Sequence, residues 1–119
     1  MSEAWYLRPV VFVSDVDAAL RFYIDKLGFV KKWHKDTVCQ VDRGGCEIIL
    51  CQDRARQDKA RLFVELNRDG IDELRREIAE RSIPAQKTWW GYDSIQIIDP
   101  DGNELLFPLD ETNDRERQK

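Results

Sequence analysis

Histidine is almost missing from this 119-residue sequence, which has one, and cysteine is sparse, with three and no Cys-x-x-Cys pair. An odd count without paired spacing fits reduced thiols and argues against a zinc or redox centre. Cys46 and Cys51 are five residues apart, so a straight strand would turn them to opposite faces, and all three cysteines read as small core residues. No apolar run approaches the ~20 residues needed to span a bilayer. The opening "MSEAWYLRP" lacks the basic-then-apolar pattern of a signal peptide, so a cytoplasmic address is expected. The net charge of −4 comes without a basic stripe or interleaved aromatics, which excludes wrapping nucleic acid and is compatible with a cationic ligand. There is no Ser-His-Asp or Cys-His arrangement and no glycine loop to cradle phosphate. What the chain does have is 42% apolar residues, four Trp and 35% charged residues. That balance predicts one domain with a highly charged surface, burying roughly two thirds of its unfolded area.

The hydrophobic pattern runs through the same order twice. "PVVFV" (residues 9–13) reads as a buried strand, and "SDVD" opens a helix with Ser14 as N-cap and Asp17 at capping-box spacing. Val16, Ala19 or Leu20, Tyr23 and Leu27 mark its core face, and Gly28 ends it. "FVKKWHK", "TVCQVD" and "CEIILCQ" then read as three strands, with Gly44-Gly45 forming the last hairpin. In the second half "RLFVEL" is a strand and "DGIDELRREIAERS" a helix with Ile71, Leu74 and Ile78 on one face, stopped before Pro84. "AQKTWW", "DSIQIID" and "ELLFP" complete it, the last two joined through Pro100-Asp101-Gly102-Asn103. The prediction is an α+β domain of two βαβββ modules, about 5–53 and 60–109, joined by the polar "DRARQDKA" and followed by a polar tail, 110–119. Curved mixed sheets with helices outside would leave a concave face, a natural ligand cup.

"PVVFVSDVDAALRFYIDKLGF" followed by "WGYDSIQIIDPDGNELLFP" resembles the glyoxalase/bleomycin-resistance/dioxygenase superfamily, the vicinal-oxygen-chelate fold, over about residues 5–109. The resemblance implies paired βαβββ modules and homodimers with sites in cups. It does not imply a reaction, which must be argued from residues. Metal-dependent members supply His, Glu or Gln from four strand positions. Carried onto this sequence, those positions hold Arg8, Leu50 or a neighbour, Arg61-Leu62, and Leu106, four residues after the turn glycine. Arginine and leucine offer no lone pair at neutral pH, so no metal and no cofactor are expected. Glu104 falls two residues short of the family carboxylate but shares a strand face with position 106.

The bleomycin-resistance branch matches better. Its members sequester a large, cationic, partly aromatic drug without chemistry. Pro9 stands six residues before the helix-opening Asp, Trp33 follows the LGF, and Trp90-Gly91 precedes the turn, as in that branch. The branch's basic residue after WG is replaced here by Asp93. Trp89 and Trp90 must point to opposite faces of a strand, and Trp90 is the one expected in the cup. The expected ligand-binding set is Trp33, His34, Trp90, Tyr92, Asp93 and Glu104, with Glu47 and Glu65 as further candidates for an acidic lining. Arg8 and Arg61 could instead pair with acids or grip an anion. The resulting expectation is a metal-free small-molecule binding protein, a homodimer with its ligand at the interface and no nucleic-acid or membrane partner. The alternatives are a glyoxalase- or dioxygenase-like enzyme of the same fold, or a regulatory, partner-binding module.

Overall fold

A computed structural model describes residues 6–56, 58–89, 91 and 93–109. Two compact units divide the chain between Asp58 and Lys59, within the polar connection. The first unit runs β1 (Val10–Val13), α1 (Val16–Arg21) continued by a π-helical segment (Phe22–Lys26), β2 (Val30–Lys35), β3 (Val38–Arg43) and β4 (Cys46–Gln52). The second runs β5 (Arg61–Phe63), α2 (Arg68–Glu80), β6 (Ala85–Trp89), β7 (Asp93–Ile98) and β8 (Glu104–Pro108). Each unit holds a four-stranded sheet, in the orders β1-β4-β3-β2 and β5-β8-β7-β6. In both sheets the first strand lies parallel to the fourth, and the remaining pairs are antiparallel. The duplicated βαβββ grammar is thus a duplicated topology.

Local chemistry explains the boundaries. Asp15, not Ser14, caps α1: its Oδ1 accepts from the N–H groups of Asp17 and Ala18, at 3.0 and 3.1 Å. A carboxylate at the positive end of the helix is the stronger cap, and it places the start one residue beyond the expected one. After Arg21 the ladder widens, and the Leu27 N–H reaches the Phe22 carbonyl. This turn carries Tyr23, wholly buried, edge-on against Phe22 and Phe29. Gly28 and Gly44 take left-handed conformations (φ 71° and 58°) where the chain leaves the helix and where it turns between β3 and β4. The strand expected over 61–66 is shorter: after the Val64 N–H bonds the Leu106 carbonyl, the chain turns away so that Asn67 can cap α2.

The cores follow strand alternation. Val11, Val13, Cys39, Val41, Ile48 and Leu50 are buried in the first unit with Val16, Ala19, Tyr23 and Leu27 of the helical segment. Ile95, Ile97, Leu105 and Phe107 are buried in the second, with Ile71 and Leu74 of α2. The opposite face of each sheet is where polar side chains enter.

Candidate functional site

Gln40 sits in the middle of β3, with only 2% of its surface exposed, on the face away from the apolar partners of α1. A buried primary amide must find four hydrogen bonds to use all its capacity. Gln40 does so entirely with side chains. Its Oε1 accepts from Arg8 Nη1 and from Trp33 Nε1, each at 2.9 Å. Its Nε2 donates to Asp42 Oδ1 and to Glu47 Oε1, also at 2.9 Å. Guanidinium and indole can only donate, and the two carboxylates only accept, so the orientation of the amide is dictated by its neighbours. Register brings these groups together: Trp33 lies opposite Gln40, and Asp42 opposite Glu47. Within the cluster one guanidinium and two carboxylates share the amide, and Lys35 lies on the same face, level with Val38. Trp33, tethered at its indole nitrogen, remains 38% exposed as a residue.

The second unit repeats this skeleton. Gln96 in β7 lies opposite Gln86, as Gln40 lies opposite Trp33. Glu104 corresponds to Glu47, Leu106 to Ile49, and Arg61 to Arg8, because the strand registers superimpose in that order. Here the chemistry closes on itself. Arg61 Nε donates to Glu104 Oε2 at 2.6 Å, Gln96 Nε2 to Glu104 Oε1 at 3.2 Å, and Gln86 Nε2 to Gln96 Oε1. An open cavity of about 230 Å³ beside this network is lined by Pro84, Ala85, Gln86, Gln96 and Ile98.

The positions at which the resemblance implies metal ligands do not fit a metal. Arg8 and Arg61 carry fixed positive charge and are engaged by Gln40 and Glu104. Leu106 is wholly buried on the face shared with Glu104, and the residue level with it in the first unit is Ile49. Leu50 points the other way, fully buried opposite Cys39. Among the described residues no three His, Cys, Asp or Glu side chains are grouped so as to hold a metal ion.

The remaining expected residues fall in different places. His34 lies on the face of β2 opposite to Trp33, level with Cys39, and its Nε2 reaches the Asp36 carbonyl at 2.9 Å. A carbonyl only accepts, so the hydrogen is on Nε2, and the ring braces the β2–β3 turn. Asp93 begins β7 on the side of Ile95 and Ile97, away from Gln96. Trp89 pairs with it and is largely exposed. Glu65 is exposed beyond β5. Trp90 and Tyr92 lie outside the described residues. Glu104, Arg8, Glu47 and Trp33 all join the two networks.

Gln40, Gln96, Gln86 and Asp42 were not anticipated. The signal was present, however: "VCQVD" and "SIQII" each place a glutamine in the middle of an apolar strand at corresponding positions of the repeat. An amide in such a place must be satisfied by neighbours, so it marks a polar cluster.

Of the three cysteines, burial pushes the thiols of Cys39 and Cys46 above their ordinary value of 9.0. Asp17 adds to the rise at Cys39 and Lys31 opposes it, while Arg43 opposes it at Cys46. Neither has the lowered pKa of a reactive nucleophile.

Comparison with known proteins agrees with this architecture. A bleomycin resistance protein of Geobacillus stearothermophilus is 26% identical over 129 aligned positions, covering 83% of this chain and 92% of that protein. A bleomycin resistance protein of Staphylococcus aureus matches to the same extent. Among solved structures, the bleomycin-binding protein of Streptomyces verticillus complexed with copper(II)-bleomycin superposes with a TM-score of 0.69 at 24% identity, over 91% of this chain and 98% of that one. A lactoylglutathione lyase from Agrobacterium tumefaciens gives 0.71 at 19% identity, over 90% and 95%. At those identities the structural likenesses establish the vicinal-oxygen-chelate fold. The model for the family described as "Glyoxalase superfamily protein" matches residues 5–115, and the chain belongs to that superfamily.

Proposed function

We propose that this protein binds and sequesters a small molecule without metal and without chemistry, in the manner of a bleomycin-resistance protein. The observation that carries the reading is the exchange at the metal positions: Arg8 and Arg61 stand there, and each is held by the protein's own side chains. Such a face cannot polarise a substrate oxygen through a bound cation, but it can present a ring. Trp33 offers that ring next to the carboxylates of Asp42 and Glu47. Stacking and cation attraction there are worth about 0.5–2 kcal/mol per contact. The two carboxylates beside the ring suit a cationic, partly aromatic ligand, and bleomycin is the first to test because relatives named for resistance to it align over most of this chain. Trp90, on the strength of its Trp-Gly match, is the second aromatic contact, and a second copy of the chain completes the cup.

The test is titration of the purified protein with metal-free bleomycin, followed by calorimetry and Trp fluorescence. Saturable binding that Trp33→Ala weakens by about two- to thirtyfold, with no metal retained after dialysis and sedimentation at twice the chain mass, supports the reading. Near-stoichiometric Zn, Ni, Mn or Fe surviving dialysis overturns it. So does turnover of a hemithioacetal or a catechol.

A further inference from the structure

The two units carry the same polar skeleton, yet the hub amide has different partners in each. Gln40 holds an aromatic ring and a guanidinium on its oxygen, and two carboxylates on its nitrogen. Gln96 holds another amide and one carboxylate, and that carboxylate is occupied with Arg61. We propose that the copies differ in role: Gln40 is a positioning residue that fixes the Trp33 indole and the Arg8 guanidinium for a ligand, and the Gln96 cluster holds no ring in that way.

The argument is geometric. β2 is exposed along its whole length, and register shifts between Lys31 and Trp33, so strand pairing leaves the indole poorly constrained. The hydrogen bond from Trp33 Nε1 to Gln40 supplies the constraint. It fixes the ring at its polar edge and leaves the π-face for a partner, which removes the cost of ordering a free indole when a ligand arrives. The oxygen that takes the indole also takes Arg8 Nη1, so the two groups cannot shift independently. The amide itself cannot flip, because all four of its bonds would then oppose like with like. In the second unit the residue at the ring's position is Gln86, which has no π-face to present.

The inference rests on Trp33 being a ligand contact, and its test separates the two claims. Gln40→Met keeps the side-chain volume and removes every hydrogen bond. Trp33→Phe keeps a ring and removes the indole N–H. The first readout needs no ligand: the Trp33 indole N–H resonance, identified by its loss in Trp33→Phe, should move and lose its protection from solvent exchange in Gln40→Met. The second readout is bleomycin affinity, which should fall about tenfold in either variant and no further in the double variant. Glu80→Gln, an exposed change at the end of α2, should leave both readouts unchanged. An unmoved and still protected Trp33 N–H in Gln40→Met overturns the positioning role, as do fully additive losses of affinity. Should Gln40→Met fail to fold, Trp33→Phe decides alone: wild-type affinity there overturns the proposal. If Trp33→Ala leaves affinity unchanged, the ligand reading is refuted, while the indole resonance still decides whether Gln40 positions the ring.

Discussion

Replacing Asn103 by alanine removes two hydrogen-bonding groups from the turn that joins β7 to β8. Asn103 is 1% exposed. Its Oδ1 accepts from the Ala60 N–H at 2.8 Å, which ties the turn to the start of β5, and its Nδ2 donates to Asp99 Oδ2 at 2.9 Å. Asp99 Oδ1 in turn accepts from the N–H groups of Asp101 and Asn103, both at 2.9 Å. A neutral bond contributes about 1 kcal/mol and a bond to a carboxylate about 1.5–3, and a buried group deprived of its partner adds desolvation. Asn103→Ala should therefore cost about 2–4 kcal/mol, with a fall in Tm of about 10 °C for a domain of this length. Urea unfolding followed by Trp fluorescence measures it. A cost below about 1 kcal/mol with an unchanged m-value would refute the reasoning, since water would then be replacing both bonds at no penalty. Asn103→Asp sharpens the test: it keeps the acceptor for Ala60 and sets a second carboxylate against Asp99. Its cost in urea should be at least that of Asn103→Ala, since a buried carboxylate then faces another with no donor between them.

Three further outcomes are expected. Leu106→Glu restores a carboxylate at the family's metal position but buries it, so it should lose about 3–5 kcal/mol and take up no Ni or Zn; bound metal with an unchanged Tm would contradict this. Glu104→Gln keeps an acceptor for Gln96 and removes the charge facing Arg61. With the Arg61 side chain 60% exposed, the loss in urea should be only about 0.5–1 kcal/mol, and a loss above about 2 would mean the pair is not screened. For the buried thiols the sign is set by proton count. Cys39 and Cys46 keep their protons in the folded state to a higher pH than in the unfolded chain, so their contribution declines once pH passes the ordinary 9.0 and until the folded values are reached. Between pH 8 and 10, about the span in which an unfolded thiol ionises, the wild type should therefore lose more stability in urea than the Cys39→Ala/Cys46→Ala variant. Equal losses would remove burial as the cause.

Sequence periodicity carried most of the fold because each strand has one buried face and each helix one apolar stripe, and these are local properties. "CEIILCQ" became β4 (Cys46–Gln52) with the expected ends, and the two glycines after Arg43 made the hairpin. The start of α1 and the end of β5 were less legible. They depend on which of two adjacent polar residues caps the helix, and on where a partner strand stops offering hydrogen bonds. Within the candidate site, Trp33, Arg8, Arg61 and Glu104 could be picked out by spacing. His34 and Asp93 could not be separated from them, because strand parity is set by pairing register across the sheet, including the shift between Lys31 and Trp33.

The sequence by itself determined the duplicated βαβββ order, the likeness to the glyoxalase superfamily, and the arginines and leucines at positions where metal-dependent members place donors. Those are matters of residue type and spacing along the chain. Only the tertiary structure decided what the arginines do instead. Arg8 and Trp33 meet on one oxygen of Gln40, and Arg61 meets Glu104, because hydrogen-bonded registers bring together residues up to 43 positions apart. A buried amide can be read from a sequence, but its four partners are fixed by three strands and the residues leading into a fourth, and no local pattern encodes that meeting.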